Sequence, residues 1–258
     1  MQLLMREKRL LTLEDGSHLA YLKADFGSSV TVVFFCGFRS SMLATKASAI
    51  YDHCIANKTN CVVFDYLGHG DSSANFEDCC LSDWRKNCDV VIEQLTDTPL
   101  VVVGSSMGGW LALHAAADHP HRVLGLVTLA AAPDFTEDVE SSMSTEDRVL
   151  LENDGKVELL VHDCSYLITK KLLKDGKNHL LLNRDIIPVK CPVVLIHGMQ
   201  DVTVPYEHSI TVAKKLQSSD VSVQLLKSGD HKLNEQPMLD RIQRIVHCVV
   251  AKAAKSIT

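Results

Sequence analysis

The chain has 258 residues, 46% of them hydrophobic and 22% charged, and a formal net charge of −6. That length and apolar fraction suit one globular domain with a large core. The negative balance without a basic stripe argues against a nucleic-acid partner, and no apolar run is long enough to span a bilayer, so no integral membrane association is expected.

In chain order, Met1 to Arg9 carries a short apolar patch but no h-region, no cleavage site and no Arg/Ser-rich transit character. A cytoplasmic address is therefore expected, or the mitochondrial matrix if a transit segment has been removed. Leu10 to Lys23 reads as a hairpin turning at Asp15-Gly16. Val30 to Cys36 is a buried strand that ends in Gly37-Phe38-Arg39, and Ser40 or Ser41 opens a stretch leading into a helix towards Asn57. Cys61 to Asp65 is the next strand. The nine cysteines are odd in number and contain no C-x-x-C pair. Several (Cys36, Cys61, Cys191, Cys248) sit in apolar segments, so they read as reduced thiols. The adjacent Cys79-Cys80 offers a vicinal disulfide or a metal site as the minor alternative, disfavoured because partner ligands are missing.

Leu81, Trp84, Cys88, Val91, Ile92 and Leu95 recur at helical spacing, which makes Ser82 to Leu95 an amphipathic helix stopped by Thr98-Pro99. Leu100 to Gly104 is an unbroken valine-rich strand, and Trp110 to Ala117 are helix formers ending before Pro120. Val123 to Ala132 is another strand. From Phe135 to Ile187 the β-branched runs vanish and charges multiply. Arg148 to Leu160 and Tyr166 to Leu173 carry helical patterns there, so a helical cap is expected. Cys191 to His197 resumes the sheet, Pro205 suits the first turn of a helix reaching Leu216, and Val221 to Leu226 is the last strand. Leu239, Ile242, Ile245, Val246 and Val249 stripe a final helix. The alternation predicts one α/β domain over 1–258, with a mostly parallel, doubly wound sheet and a cap insertion at about 135–187.

Functional residues are expected at the carboxyl ends of such strands. Gly104-Ser105-Ser106-Met107-Gly108 reads as G-x-S-x-G between a strand and a helix, the nucleophile elbow of the α/β hydrolases. There Ser106 would be held above the sheet in a strained turn. A serine hydroxyl needs a base, and His231 follows the last strand, where this fold keeps its histidine. Asp201, in a tight loop after the strand ending at His197, is the preferred acid over Asp134, which is expected to cap the first cap helix or line the pocket. Asp230 reads as a loop residue. An oxyanion hole needs two backbone N–H groups, and Met107 and Phe38 are placed to supply them. Arg39 and, from the cap, Tyr166 and His162 are candidate substrate contacts. No cofactor or metal is called for.

Gly37-Phe38-Arg39-Ser40-Ser41-Met42 with Thr45-Lys46-Ala47, Phe64-Asp65-Tyr66, Trp84-Arg85-Lys86, Gly104 to Trp110, Cys191-Pro192, His197-Gly198-Met199 and Asp230-His231 together span nearly the whole chain. In these segments the chain resembles a subgroup of the α/β hydrolases, the mitochondrial palmitoyl-protein thioesterase and acyl-glucuronide esterase family with its bacterial relatives. The resemblance implies Ser106, Asp201 and His231 as a triad, and an acylated small molecule or S-acylated protein as substrate. The cap matches the family least clearly. Carbon–carbon or lactone hydrolysis on the same residues, and a non-catalytic binding protein on the same scaffold, are the alternatives left open.

Overall fold

Runs of valine, phenylalanine and leucine bounded by turn residues form the central strands, because β-branched and aromatic side chains pack well on a pleated surface. In the computed structural model, which describes residues 6–161 and 164–257, the strands are β1 (Arg9–Thr12), β2 (His18–Ala24), β3 (Thr31–Phe35), β4 (Asn60–Phe64), β5 (Leu100–Ser105), β6 (Val123–Leu129), β7 (Lys156–Val161), β8 (Cys164–Thr169), β9 (Val193–Gly198) and β10 (Val221–Leu226). The α-helices are α1 (Thr45–Ala56), α2 (Leu81–Leu95), α3 (Met107–Asp118), α4 (Phe135–Ser142), α5 (Thr145–Asp154), α6 (Lys170–Gly176), α7 (Glu207–Lys215) and α8 (Gln236–Lys255).

Eight strands form one sheet in the order β1-β2-β4-β3-β5-β6-β9-β10. β2 runs antiparallel to β1 and β4, and the pairs from β4 to β10 are parallel. Every residue of β3, β4 and β5 is buried. β5 and β6 are each packed by both α3 and α8, which is why β5 reads as continuous valine rather than as an alternation. The nucleophile strand therefore lies in the middle of the sheet.

Two boundaries differ from the sequence expectation. α1 starts at Thr45 and takes no side-chain cap from Ser40 or Ser41. The preceding loop commits its donors elsewhere, because the Met42 N–H donates to Asp65 Oδ1 at 2.6 Å and the Ser40 N–H to the Gly37 carbonyl. Pro205 sits two residues ahead of α7 rather than in its first turn.

The insertion carries α4, α5 and α6 as expected and, beside them, an antiparallel hairpin, β7–β8, that corrects the two helical assignments there. α5 is capped by Ser144 and Asp147, which bond each other's backbone reciprocally, and it stops at Gly155 in the left-handed region (φ 73). Beyond Gly155 the buried apolar residues of the hairpin are Val157, Leu159 and Ile168, at strand spacing, while Lys156, Glu158 and Leu160 face out. The cue was present in Asn153-Asp154-Gly155 followed by alternation, but the apolar residues on either side also fit a longer helix. With Met143, Leu151 and Leu173 they form a small second core against which Phe38 and Tyr166 pack. Cys79 and Cys80 are both free thiols.

Asp134 occupies the position before α4 but makes no side-chain cap there. Its carboxylate accepts from the N–H groups of Leu181 and Leu182 at 2.7 to 3.1 Å, pinning the chain where it returns from the cap to the sheet. Asp134→Ala would strand two backbone donors, one of them on the buried Leu181. It should destabilise the fold by about 2–3 kcal/mol in urea titration. A loss under half a kilocalorie would mean that water takes over both donors.

Candidate active site

The turn from β5 into α3 places Ser106 at φ 55, ψ −121, a region that side chains rarely occupy. The turn is tight enough that a Cβ on Gly104 would lie 2.2 Å from the Gly108 carbonyl oxygen. The surrounding hydrogen bonds hold it, with the Ser106 carbonyl accepting from Gly109 at 2.8 Å and from Ala132 at 3.1 Å. The hydroxyl is thereby directed away from the sheet at the N-terminus of α3.

His231 lies between β10 and α8. Its loop is fastened by Asp230, whose Oδ1 accepts from the Leu233 N–H at 2.8 Å, and by the Lys46 ammonium, which donates to the Lys232 carbonyl. The Ser106 Oγ–H donates to His231 Nε2 at 3.1 Å, and His231 Nδ1–H donates to Asp201 Oδ2 at 2.7 Å. The three residues come from the ends of β5, β9 and β10, so the sheet itself sets their spacing.

Asp201 is held on all sides. Oδ1 accepts from the N–H groups of Thr203 at 2.9 Å and Val204 at 2.8 Å, and Oδ2 accepts from His231 and also from His197 Nε2 at 3.0 Å. Its side chain is fully buried. Burial alone would raise its carboxyl, but the donors from His197 and His231 hold it well below the usual carboxylate range. The carboxylate therefore stays ionised and fixes His231 with its proton on Nδ1, which leaves Nε2 as a lone pair facing Ser106.

His197 is the functional neighbour that the sequence did not single out. It is fully buried, and its Nδ1 accepts from the Ser209 hydroxyl at 2.8 Å, which leaves Nε2–H to point at Asp201. The four-residue spacing from His197 to Asp201 was visible, but a histidine closing a strand gave no sign that its ring folds back onto the same carboxylate.

Gly37 abuts the nucleophile, since a Cβ there would lie 3.3 Å from Ser106 Cβ. The next backbone N–H belongs to Phe38. Among the described residues, neither that N–H nor the N–H of Met107 donates to any group of the chain. Unpaired backbone donors are costly in a buried setting, and Met107 is fully buried. Two free donors beside a serine hydroxyl can receive a negative oxygen.

Ser106, Met107, Phe38 and His231 open onto a cavity of about 600 Å³ with two unlike ends. Phe135, Val139, Leu159, Tyr166 and Ile168 from the cap make one end largely apolar, with Asp138 and Ser142 the polar cap residues on the wall. Thr45, Lys46, Thr203, Lys232 and Asn234 make the end near His231 polar and cationic. Burial pulls the Lys46 ammonium down to about 8. Of the expected substrate contacts, Tyr166 is on the cavity wall and Arg39 is not. Arg39 adopts φ 53, and its guanidinium lies over the Phe76 ring at 5.3 Å. His162 lies outside the described residues.

Comparison with known proteins identifies the fold and the family. Residues 42–158 match the family model of the alpha/beta hydrolase fold. The chain is 36% identical over 251 residues to the mitochondrial palmitoyl-protein thioesterase ABHD10 of Bos taurus, covering 92% of this chain and 81% of that protein. It is 37% identical over 229 residues to the Homo sapiens protein of the same name, covering 88% and 74%. The solved structure of alpha/beta hydrolase domain-containing protein 10 from mouse superposes with a TM-score of 0.88 at 31% identity, covering 95% of this chain and 99% of that one. A sheet ordered around a strained serine turn, together with this identity along nearly the full length, means that the chain belongs to the ABHD10 family of α/β hydrolases.

Proposed function

We propose that this hydrolase cleaves long-chain acyl thioesters, and related esters, through an acyl-enzyme on Ser106. Ser106 Oγ attacks the acyl carbonyl carbon while His231 Nε2 takes the hydroxyl proton. The carbonyl oxygen becomes an oxyanion held by the N–H groups of Phe38 and Met107. When the carbon–sulfur or carbon–oxygen bond breaks, the imidazolium returns that proton to the leaving thiol or alcohol. Water then repeats the sequence, releasing the acid and restoring Ser106. Asp201 keeps the ring in the productive tautomer and offsets the positive charge of the imidazolium without taking its proton.

The observation that carries this reading is the unbroken hydrogen-bond line from Ser106 through His231 to Asp201, at 3.1 and 2.7 Å, facing a cavity whose cap-side end has a largely apolar lining. That end supports a long acyl group against the cap, and the names of the ABHD10 relatives, palmitoyl-protein thioesterases, agree. The leaving group then departs past His231 along the polar end, which suits a peptide or other hydrated group. The mitochondrial address in those names supports the second of the two locations expected from the sequence.

Hydrolysis of a thioester series from acetyl to palmitoyl tests the proposal. Activity should rise with acyl length. Ile168→Trp, which fills the apolar end, should move the optimum to shorter chains and lower kcat/KM for palmitoyl by about tenfold, because shortening the buried chain by two methylenes alone removes about 1.6 kcal/mol. A profile that is flat across the series, in both proteins, would remove the cap from acyl selection.

A further inference from the structure

The loop that would hold the oxyanion is a tight turn. The Ser40 N–H donates to the Gly37 carbonyl at 3.1 Å, closing a four-residue β-turn over Gly37 to Ser40. The Gly37 carbonyl and the Phe38 N–H belong to the same planar peptide, so this bond sets the direction in which the Phe38 N–H points. The third turn residue, Arg39, has φ 53. Turns with a positive φ at that position ordinarily place glycine there, and a residue with a Cβ carries a strain of about 1–2 kcal/mol. Something must stabilise the conformation.

Resting on the acyl-enzyme reading above, we propose that His69 is a positioning residue for the oxyanion hole, acting through the Arg39 peptide. His69 Nε2 accepts from the Arg39 backbone N–H at 3.1 Å. The acceptor is itself fixed. Nδ1–H donates to the Leu67 carbonyl at 3.3 Å, and the ring meets Tyr66, Phe76 and Trp84 nearly edge-on, with centroids 5.2 to 5.5 Å away. His69 is only 4% exposed. Burial pulls it down to about 4, so Nε2 keeps its lone pair throughout the neutral range. Protonation would set two N–H groups against each other and release the turn.

The other ties between these loops, Asp65 with Met42 and Asp71 and the Tyr66 hydroxyl with the Cys36 carbonyl at 3.2 Å, leave the Arg39 peptide untouched. Phe38 packs on Phe76 and Trp84, the rings that also hold His69, so one aromatic cluster steadies both the donor residue and its brace. His69, flanked by Gly68 and Gly70, thus acquires a role that the sequence alone did not assign.

Three substitutions separate this role from simple packing. The Oε1 of His69→Gln reaches the place of Nε2, whereas the shorter His69→Asn reaches only the place of Nδ1, and His69→Ala has no acceptor. The expected result with a thioester substrate is a kcat lowered about 10- to 100-fold in the Ala and Asn variants, with KM within about threefold, and recovery to within about threefold of wild type in Gln. Active enzyme is counted by fluorophosphonate titration, so misfolded protein drops out of kcat. Affinity for an alkyl trifluoromethyl ketone, whose hydrated oxyanion occupies the hole, should fall in parallel with kcat/KM. The inference is overturned if the Ala and Asn variants keep kcat within twofold, or if Gln is no better than Asn among folded variants. Failure of the parent reading looks different, because the wild type would then neither turn over thioesters nor react with the fluorophosphonate.

Discussion

Ser106→Ala should lower kcat for an activated acyl thioester by about a millionfold, because the nucleophile is removed and the rest of the site has nothing to activate. Asp201→Asn should cost about ten-thousandfold for a different reason. The amide keeps the shape but cannot accept in the same way from both His197 and His231, so the ring loses the tautomer that presents a lone pair to Ser106. His231→Ala should match Ser106→Ala, and the double variant should be no slower than either single one, since the pair acts as a unit. A fluorophosphonate probe gives the same answer without a substrate. It should label the wild type at Ser106, fail on Ser106→Ala, and fail on heat-denatured protein. Turnover within tenfold of wild type in Ser106→Ala would sink the mechanism, however good the geometry.

The second large effect is on stability below neutral pH. His69 and His114 are buried as neutral rings, and burial pulls them down to about 4 and about 3 respectively. Both folded values lie under the roughly 6.5 of a histidine in an unfolded chain. Between those limits the unfolded chain binds more protons than the native one, so stability rises with pH and is lost as pH falls from about 6.5 towards 4. Each ring should account for about 2 kcal/mol by pH 5. Asp201 contributes outside this window, since its lowered carboxyl stabilises above the usual carboxylate value and fails only as pH drops below it. Asp65 and Asp134, raised by burial, act in the opposite sense as they protonate.

Urea unfolding at pH 7 and pH 5 should show this loss. His114→Gln isolates one share of it, because the amide can donate to the His179 carbonyl as His114 Nε2–H does at 2.8 Å, yet does not titrate. Its pH 5 deficit should be smaller than that of the wild type by about 2 kcal/mol. Equal pH slopes for the two proteins would show that His114 protonates without unfolding the chain.

Strand and helix order in the sheet domain was legible because burial on both faces leaves unbroken runs such as Leu100 to Val103, and because Gly104 and Gly108 bracket the serine as a sharp turn requires. Chain order ranked His231 above the eleven other histidines, and the tight loop after the strand ending at His197 ranked Asp201 above its rival Asp134. The cap was less legible. Its apolar residues are few, each buries against only a small second core, and at that density a strand pair and a helix predict nearly the same spacing.

What the sequence determined by itself is therefore local: which segments bury both faces, where the chain must turn, and which residue types stand at strand ends. What only the tertiary structure decided is convergence. The sheet brings the ends of β5, β9 and β10 together, so that Asp201 meets two histidines rather than one. It also brings His69 against a turn 30 residues earlier, and it turns Arg39 away from the cavity to lie on Phe76. Hydrogen bonds act over about 3 Å, and no local pattern records which distant groups the folded chain will bring that close.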